Sequence, residues 1–296
     1  MGSSSWRSSD FDSYSKSKGY TTTCSTTSGY SKLSTDGLYS ATQMYTATLI
    51  NPMLTPKNVM RECRDSEEHP NTVPIILALD VTGSMSDSLI EVASALNEII
   101  SKLYETITDV EICVMGIGDL SYDRGPIQIG QFESDIRIAE QLDKIWFERG
   151  GGSNPFESYT AAWYMGSRHT DLDCWKRGKK GIIITLGDEE INPYLPHEAL
   201  NTATGDDLQA SVETSDLYNE ASQKYDLYHI FVDHNNRTHR IADHATKTFK
   251  DVIGEDHVVI STVNELSSNI IDIVKRENDS DTNRNTYTNA NNEITW

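Results

Sequence analysis

Long apolar runs are missing from this sequence. No stretch approaches the roughly 18–20 consecutive apolar residues that a membrane helix requires. No basic start followed by an apolar run opens the chain, so neither a membrane span nor a secretory leader is expected. Cysteine is scarce. Cys24, Cys63, Cys113 and Cys174 include no C-x-x-C pair. That speaks against a disulfide framework and for a reducing compartment, with a cytoplasmic location expected.

Positive charge is also short. There are 25 Lys and Arg against 45 Asp and Glu, a net charge of -20. Residues 1–70 carry seven basic and seven acidic side chains, so the excess falls entirely after residue 70. Such a chain repels phosphate backbones and shows no basic stripe, which excludes a nucleic-acid partner. Its acidity favours cations or a basic protein surface.

Familiar catalytic signatures are absent: no G-x-S-x-G, no H-E-x-x-H, and a Gly run at 150–152 without the lysine of a phosphate loop. His229, His234, His239 and His244 do not share a helix face at their spacing, and no cysteine pair accompanies them. Zinc is therefore not expected.

What is present divides the chain into three. Residues 1–70 form an arm and lead-in. The arm, to about residue 45, is rich in Ser, Thr, Tyr and Gly and has no sustained period, so it reads as largely disordered or extended. The low mean hydropathy of -0.50 agrees with an unpacked portion. Residues 50–71 mix apolar and charged side chains with prolines and read as a lead-in packed along the domain. Residues 71–277 carry the periodic pattern, and 278–296 form a polar tail.

Within 71–277, VPIILALD (73–80) is a short, nearly continuous apolar run of the kind found in fully buried parallel strands. Leu89, Val92, Ala93, Leu96, Ile99, Ile100 and Leu103 follow at helical spacing, and VEICVMGIG (110–118) reads as the next strand. Further strands are expected at 126–132, 181–188, 226–233 and 257–261. Helices are expected at 134–147, 156–167, 206–224, 237–251 and 263–277. The alternation implies an α/β fold with a doubly wound, mostly parallel central sheet flanked by helices.

In such sheets ligands gather where strands end. The first strand ends in Asp80-Val81-Thr82-Gly83-Ser84, which offers one carboxylate and two hydroxyls at alternate positions. Hard oxygen donors suit Mg²⁺, Mn²⁺ or Ca²⁺. The bland reading of the same residues is a helix cap with a turn.

LALDVTGSMSD resembles the first motif of the von Willebrand factor A (vWA) family, the D-x-S/T-x-S of its metal-ion-dependent adhesion site (MIDAS). The family's second motif, Gly-Gly followed by Thr, is matched by RGGGSNPFESY, with Ser153 in the Thr position. Its third, an Asp ending a central apolar strand, is matched by GIIITLGDE, with Asp188. The resemblance spans roughly residues 73–277. GIGDLSYDRGPIQIGQFESD and GGGSNPFESY are similar to a subgroup of intracellular bacterial and phage proteins.

The resemblance implies a six-coordinate cation. Thr82 and Ser84 would bind it directly, Asp80 and Asp188 directly or through water, and Ser153 in one of two conformations. Asn154 is an alternative to Ser153. Glu157 would add charge to the site or cap the next helix. Asp119 lies near the same apex as an outer residue or a turn. Asp123, Glu189 and Glu190 read as a solvated acidic rim.

The expected function is therefore a non-enzymatic, metal-dependent protein-binding module. It would grip a partner's Glu or Asp, within a multi-protein assembly or beside an AAA+ ATPase. The alternatives are a structural or scaffold assembly protein, such as a phage-associated one, and a metal-dependent hydrolase.

Overall fold

The computed structural model describes residues 5–17, 49–85, 99–105, 107–148, 152 and 154–290. Ser153, most of the expected helix after the first strand, and residues 18–48 of the arm lie outside the described residues.

The central sheet has six strands: β1 (Val73–Asp80), β2 (Val110–Ile117), β3 (Ile127–Ile129), β4 (Gly181–Gly187), β5 (Tyr225–Val232) and β6 (Val258–Ser261). Their order across the sheet is β6-β5-β4-β1-β2-β3. All neighbours run parallel except β3, which is antiparallel to β2. This is the doubly wound, mostly parallel sheet expected. The connection reverses direction at β1, between β2 on one side and β4 on the other, which is the switch point where such sheets bind ligands.

The helices are α1 (Ser8–Ser17), α2 (99–105), α3 (Arg137–Leu142), α4 (Thr160–Arg168), α5 (Asp173–Lys176), α6 (His197–Thr204), α7 (Thr214–Ala221), α8 (Asn236–Ile253) and α9 (Leu266–Ala290).

Strand alternation sends neighbouring side chains to opposite faces. Ile75, Leu77, Leu79, Ile182, Ile184 and Leu186 pack with α2, α3 and α9. Ile76, Ala78, Cys113, Met115 and Ile183 pack with α4, α7 and the end of α8. Both faces are dry, which explains the nearly continuous apolar runs of β1, β2 and β4.

The lead-in does pack along the domain. Leu54 is buried, and Arg61–Cys63 pairs in parallel with Thr170–Leu172. Several expectations are corrected. A helix, α1, forms within the arm read as disordered, beside Trp6, which is 7% exposed and donates to Ser101 Oγ at 3.2 Å. Of the helix expected over 206–224 only α7 is present. An unexpected helix, α6, precedes it and is ended by Gly205 at φ 82. The helix expected from 156 begins at Thr160, because Phe156–Glu157 is extended and pairs with Glu190–Ile191. The last helix continues through part of the polar tail to Ala290, over a stretch free of Pro and Gly. Among the described residues no helix is long and apolar enough to cross a membrane.

Candidate metal centre

Parallel pairing brings the key residues to one edge. Leu79 of β1 is in register with Leu186 of β4, so Asp80 and Asp188 leave neighbouring strands at the same end of the sheet. Both are fully buried. Thr82 Oγ1 donates to Asp80 Oδ1 at 2.6 Å and stands 3.3 Å from Ser84 Oγ, which donates to Asp188 Oδ1 at 2.8 Å. Four oxygens from two loops thus form one continuous chain. The backbone N–H of Thr82 also donates to Asp80 Oδ1, at 2.9 Å, which folds the loop back on itself.

Neighbouring ligand oxygens in an octahedron around Mg²⁺ lie about 2.9 Å apart, from metal–oxygen distances of about 2.0–2.1 Å. The spacings of 2.6, 3.3 and 2.8 Å fit such edges. No group of three or more His, Cys, Asp and Glu side chains is placed to hold a metal among the described residues. The donor set here is instead two carboxylates with two hydroxyls, the chemistry of a hard cation.

The electrostatics are those of a site with surplus negative charge. Burial, and then the Asp188 carboxylate, push Asp80 up to about 7. Glu157, 5% exposed, is pushed up to about 10 by burial and then by Asp80 and Asp119. Its Oε2 is buried without a hydrogen-bond partner. Such an orphaned carboxylate oxygen is costly unless something positive comes near it. With its carboxyl pushed that high, Glu157 is neutral near pH 7 and brings charge to the site only if a cation draws its proton off. It does not cap the next helix: no side chain caps the start of α4.

The segment carrying Glu157 is tied to every strand end around it. Asn154 Nδ2 donates to Asp119 Oδ2 at 2.6 Å, and Ser158 Oγ accepts from the Leu120 N–H at 2.9 Å. Phe156–Glu157 pairs with Glu190–Ile191. Tyr159 donates its hydroxyl to Asp80 Oδ2 at 2.7 Å. Asn154 is therefore held by Asp119. Asp119 itself is buried, and its Oδ1 accepts from the Ser121 N–H at 2.7 Å, so it shapes the loop after β2.

Tyr159 has no sequence signal. Its fully buried hydroxyl reaches Asp80 only because position 187 is glycine: a Cβ there would stand 1.9 Å from that oxygen.

The outer oxygen of Asp188 faces two residues that sequence reasoning did not place at the site. His234 Nε2 is 3.1 Å from Oδ2 and Arg237 Nη1 3.5 Å. Both come from the loop after β5 and the start of α8, where Asn235 caps the helix by accepting from the N–H groups of Arg237 and Thr238. The general rule that loops at strand C-termini converge could have found them.

Glu189 and Asp123 are not a solvated rim. Glu189, 13% exposed, pairs with Arg237, and Asp123 Oδ2 accepts from the Asp119 N–H at 2.8 Å. The four histidines at 229–244 go to separate partners: Thr185, Asp188, Asp233 and Glu190.

No family model matches the chain, and no curated protein is similar to it in sequence at a significant level. Among solved structures it is similar to the pilus adhesin SpaC from Lactobacillus rhamnosus GG in an open conformation, at 12% identity and a TM-score of 0.46, over 75% of this chain and 31% of that one. It is similar to the vWF domain of the type V pili tip protein Mfa5 from Porphyromonas gingivalis, at 11% identity and a TM-score of 0.43, over 71% of this chain and 96% of that one. It is also similar to proximal thread matrix protein 1 from the mussel byssus, at 11% identity and a TM-score of 0.46, over 71% and 48%. The chain thus spans 31% of the length of the pilus adhesin and 48% of that of the byssus protein.

Proposed function

We propose that this chain is a divalent-cation-dependent protein-binding module of the vWA type, and not an enzyme. The observation that carries the reading is the unbroken chain of oxygens from Asp80 through Thr82 and Ser84 to Asp188, spaced like ligands of one small hard ion. Asp80, Thr82, Ser84 and Asp188 would hold Mg²⁺, or Mn²⁺ or Ca²⁺. Ser153, which lies outside the described residues, completes the proposed set. A bound ion would supply positive charge and a coordination position for a carboxylate from outside.

The protein's own residues prepare that position. Thr82 and Ser84 contribute neutral oxygens, so the ligand set does not quench the ion's charge. Tyr159 fixes the orientation of Asp80 through its outer oxygen. Glu157 places a buried carboxyl beside Asp80, held neutral near pH 7 by burial and by its neighbours' charge, and an entering cation would favour its ionisation.

The partner is a protein presenting Glu or Asp, in a multi-protein assembly or beside an AAA+ ATPase. The described cysteines are buried thiols, in keeping with a reducing compartment.

The test is affinity capture from host extract with wild type and Asp80→Ala, each in Mg²⁺ or in chelator. Partners that elute only from wild type in Mg²⁺ are the expected result. Equal capture in all four conditions would remove the metal from the mechanism.

A further inference from the structure

Arg237 is an unusual residue for its place. It lies in the first turn of α8, which contains no acidic side chain. The helix dipole disfavours a cation there, so its position answers some other demand.

That demand is Asp188. The carboxylate is fully buried, and its Oδ1 is committed to Ser84. Its Oδ2 faces outward, toward Arg237 Nη1 at 3.5 Å and His234 Nε2 at 3.1 Å. The other end of the guanidinium pairs with Glu189. A buried carboxylate without a counter-charge is costly. Here a side chain of the protein supplies one, on the flank opposite Ser84.

We propose that Arg237 is a tethered competitor for the divalent cation: its guanidinium neutralises Asp188 until an ion enters, and so sets the concentration at which the site loads. The inference rests on the metal-binding reading given above. An ion held by Asp80, Thr82, Ser84 and Asp188 would share the Asp188 carboxylate with the guanidinium, and like charges that close repel. Arg237 is 47% exposed, so it can swing outward while keeping its hold on Glu189. Removing the Arg237 charge frees Asp188 for the ion, but without an ion it leaves the carboxylate without its guanidinium, with only His234 beside Oδ2. The two effects have opposite signs.

The experiment is calorimetric titration of the full chain with Mg²⁺, Mn²⁺ and Ca²⁺, together with thermal melts in chelator, for wild type, Arg237→Gln, Arg237→Lys and Asp80→Ala. Arg237→Gln should bind the ion about two- to fivefold more tightly, the size of a partly screened ion pair, yet melt below wild type in chelator. Arg237→Lys keeps the charge and should stay closer to wild type in both respects. A merely structural role would lower the melting temperature and weaken ion binding together, which would overturn the proposal, as would unchanged affinity in Arg237→Gln. If wild type itself bound no ion, and Asp80→Ala behaved alike, the metal-binding reading would fall, and this inference with it.

Discussion

Replacing Asp80 by Asn probes the charge balance of the site before any ion enters it. The wild-type carboxyl, ordinarily near 3.8, is pushed up to about 7 by burial and by Asp188. The unfolded chain gives up that proton near pH 4 while the folded chain keeps it until about pH 7. The ion-free protein therefore loses stability as pH rises across that window, by about 4 kcal/mol at pH 7. The asparagine of Asp80→Asn cannot ionise and escapes this loss. It keeps an oxygen for the Thr82 N–H and hydroxyl, but its amide would face the Tyr159 hydroxyl, which now donates to Asp80 Oδ2. Losing that acceptor costs about 1–2 kcal/mol. The net gain is about 2–3 kcal/mol, or roughly 5–10 °C in melting temperature for a domain of this size.

Calorimetric melts in chelator at pH 7.5 and pH 5 measure it. Asp80→Asn should be the more stable at pH 7.5, with the gap narrowing at pH 5. Added Mg²⁺ should raise only wild type, by about 2.7 kcal/mol at a hundred times its dissociation constant. A variant less stable than wild type in chelator at pH 7.5, or one that gains as much from Mg²⁺, would refute this reasoning.

Two further predictions concern the supports of the site. His229 is fully buried, stacked on Phe249 with ring centroids 3.5 Å apart, and burial lowers its pKa to about 3. The unfolded chain takes up a proton near pH 6.5 that the folded chain refuses, so stability present above that pH should fall by about 2 kcal/mol between pH 7 and pH 5. His229→Phe should flatten this part of the pH profile in denaturant titrations; an unchanged slope would count against it. Gly187→Ala should cost about 1–3 kcal/mol in chemical denaturation, because the new methyl group displaces Tyr159. Gly166→Ala, where a Cβ would meet Ile183 Cδ1 at 2.7 Å and Ile76 Cδ1 and Tyr225 Cε2 at 3.3 Å, is the packing control, expected to leave ion binding intact while Gly187→Ala weakens it.

Much of this was legible because it depends on short-range rules. β1, β2 and β4 are buried on both faces, and a strand in that position is apolar along most of its length, with Glu111 and Thr185 as exceptions inside β2 and β4. Asp80 and Asp188 stand out as the first charges after such runs, at strand ends where the sheet reverses direction. Other features depend on contacts that leave no period behind. Only Leu200 and Thr204 of α6 are buried, too few to mark a helical face. Helix α1 lies next to the docked Trp6, and Phe11 and Tyr14, which pack on the core, are too few among its Ser, Asp and Lys to mark an apolar stripe. Glu157 turns inward because two residues of extended chain precede α4, and a helix read from residue 156 would have aimed it elsewhere. Arg237 and His234 reach Asp188 through a loop geometry that no spacing rule encodes.

The segment from Asn154 to Tyr159 grips Asp119, Leu120, Glu190 and Asp80 in the space of six residues. It works as a yoke across three strand ends. A loop hung from a single strand could drift without its neighbours noticing. Here a tug on the chain beyond β4 is passed to β2 and β1 together, and Ile191, whose N–H donates to Thr248 Oγ1 at 3.2 Å, hands it on to the flank of α8. Whatever docks at this edge of the sheet therefore pulls against the body of the domain and not against a free loop.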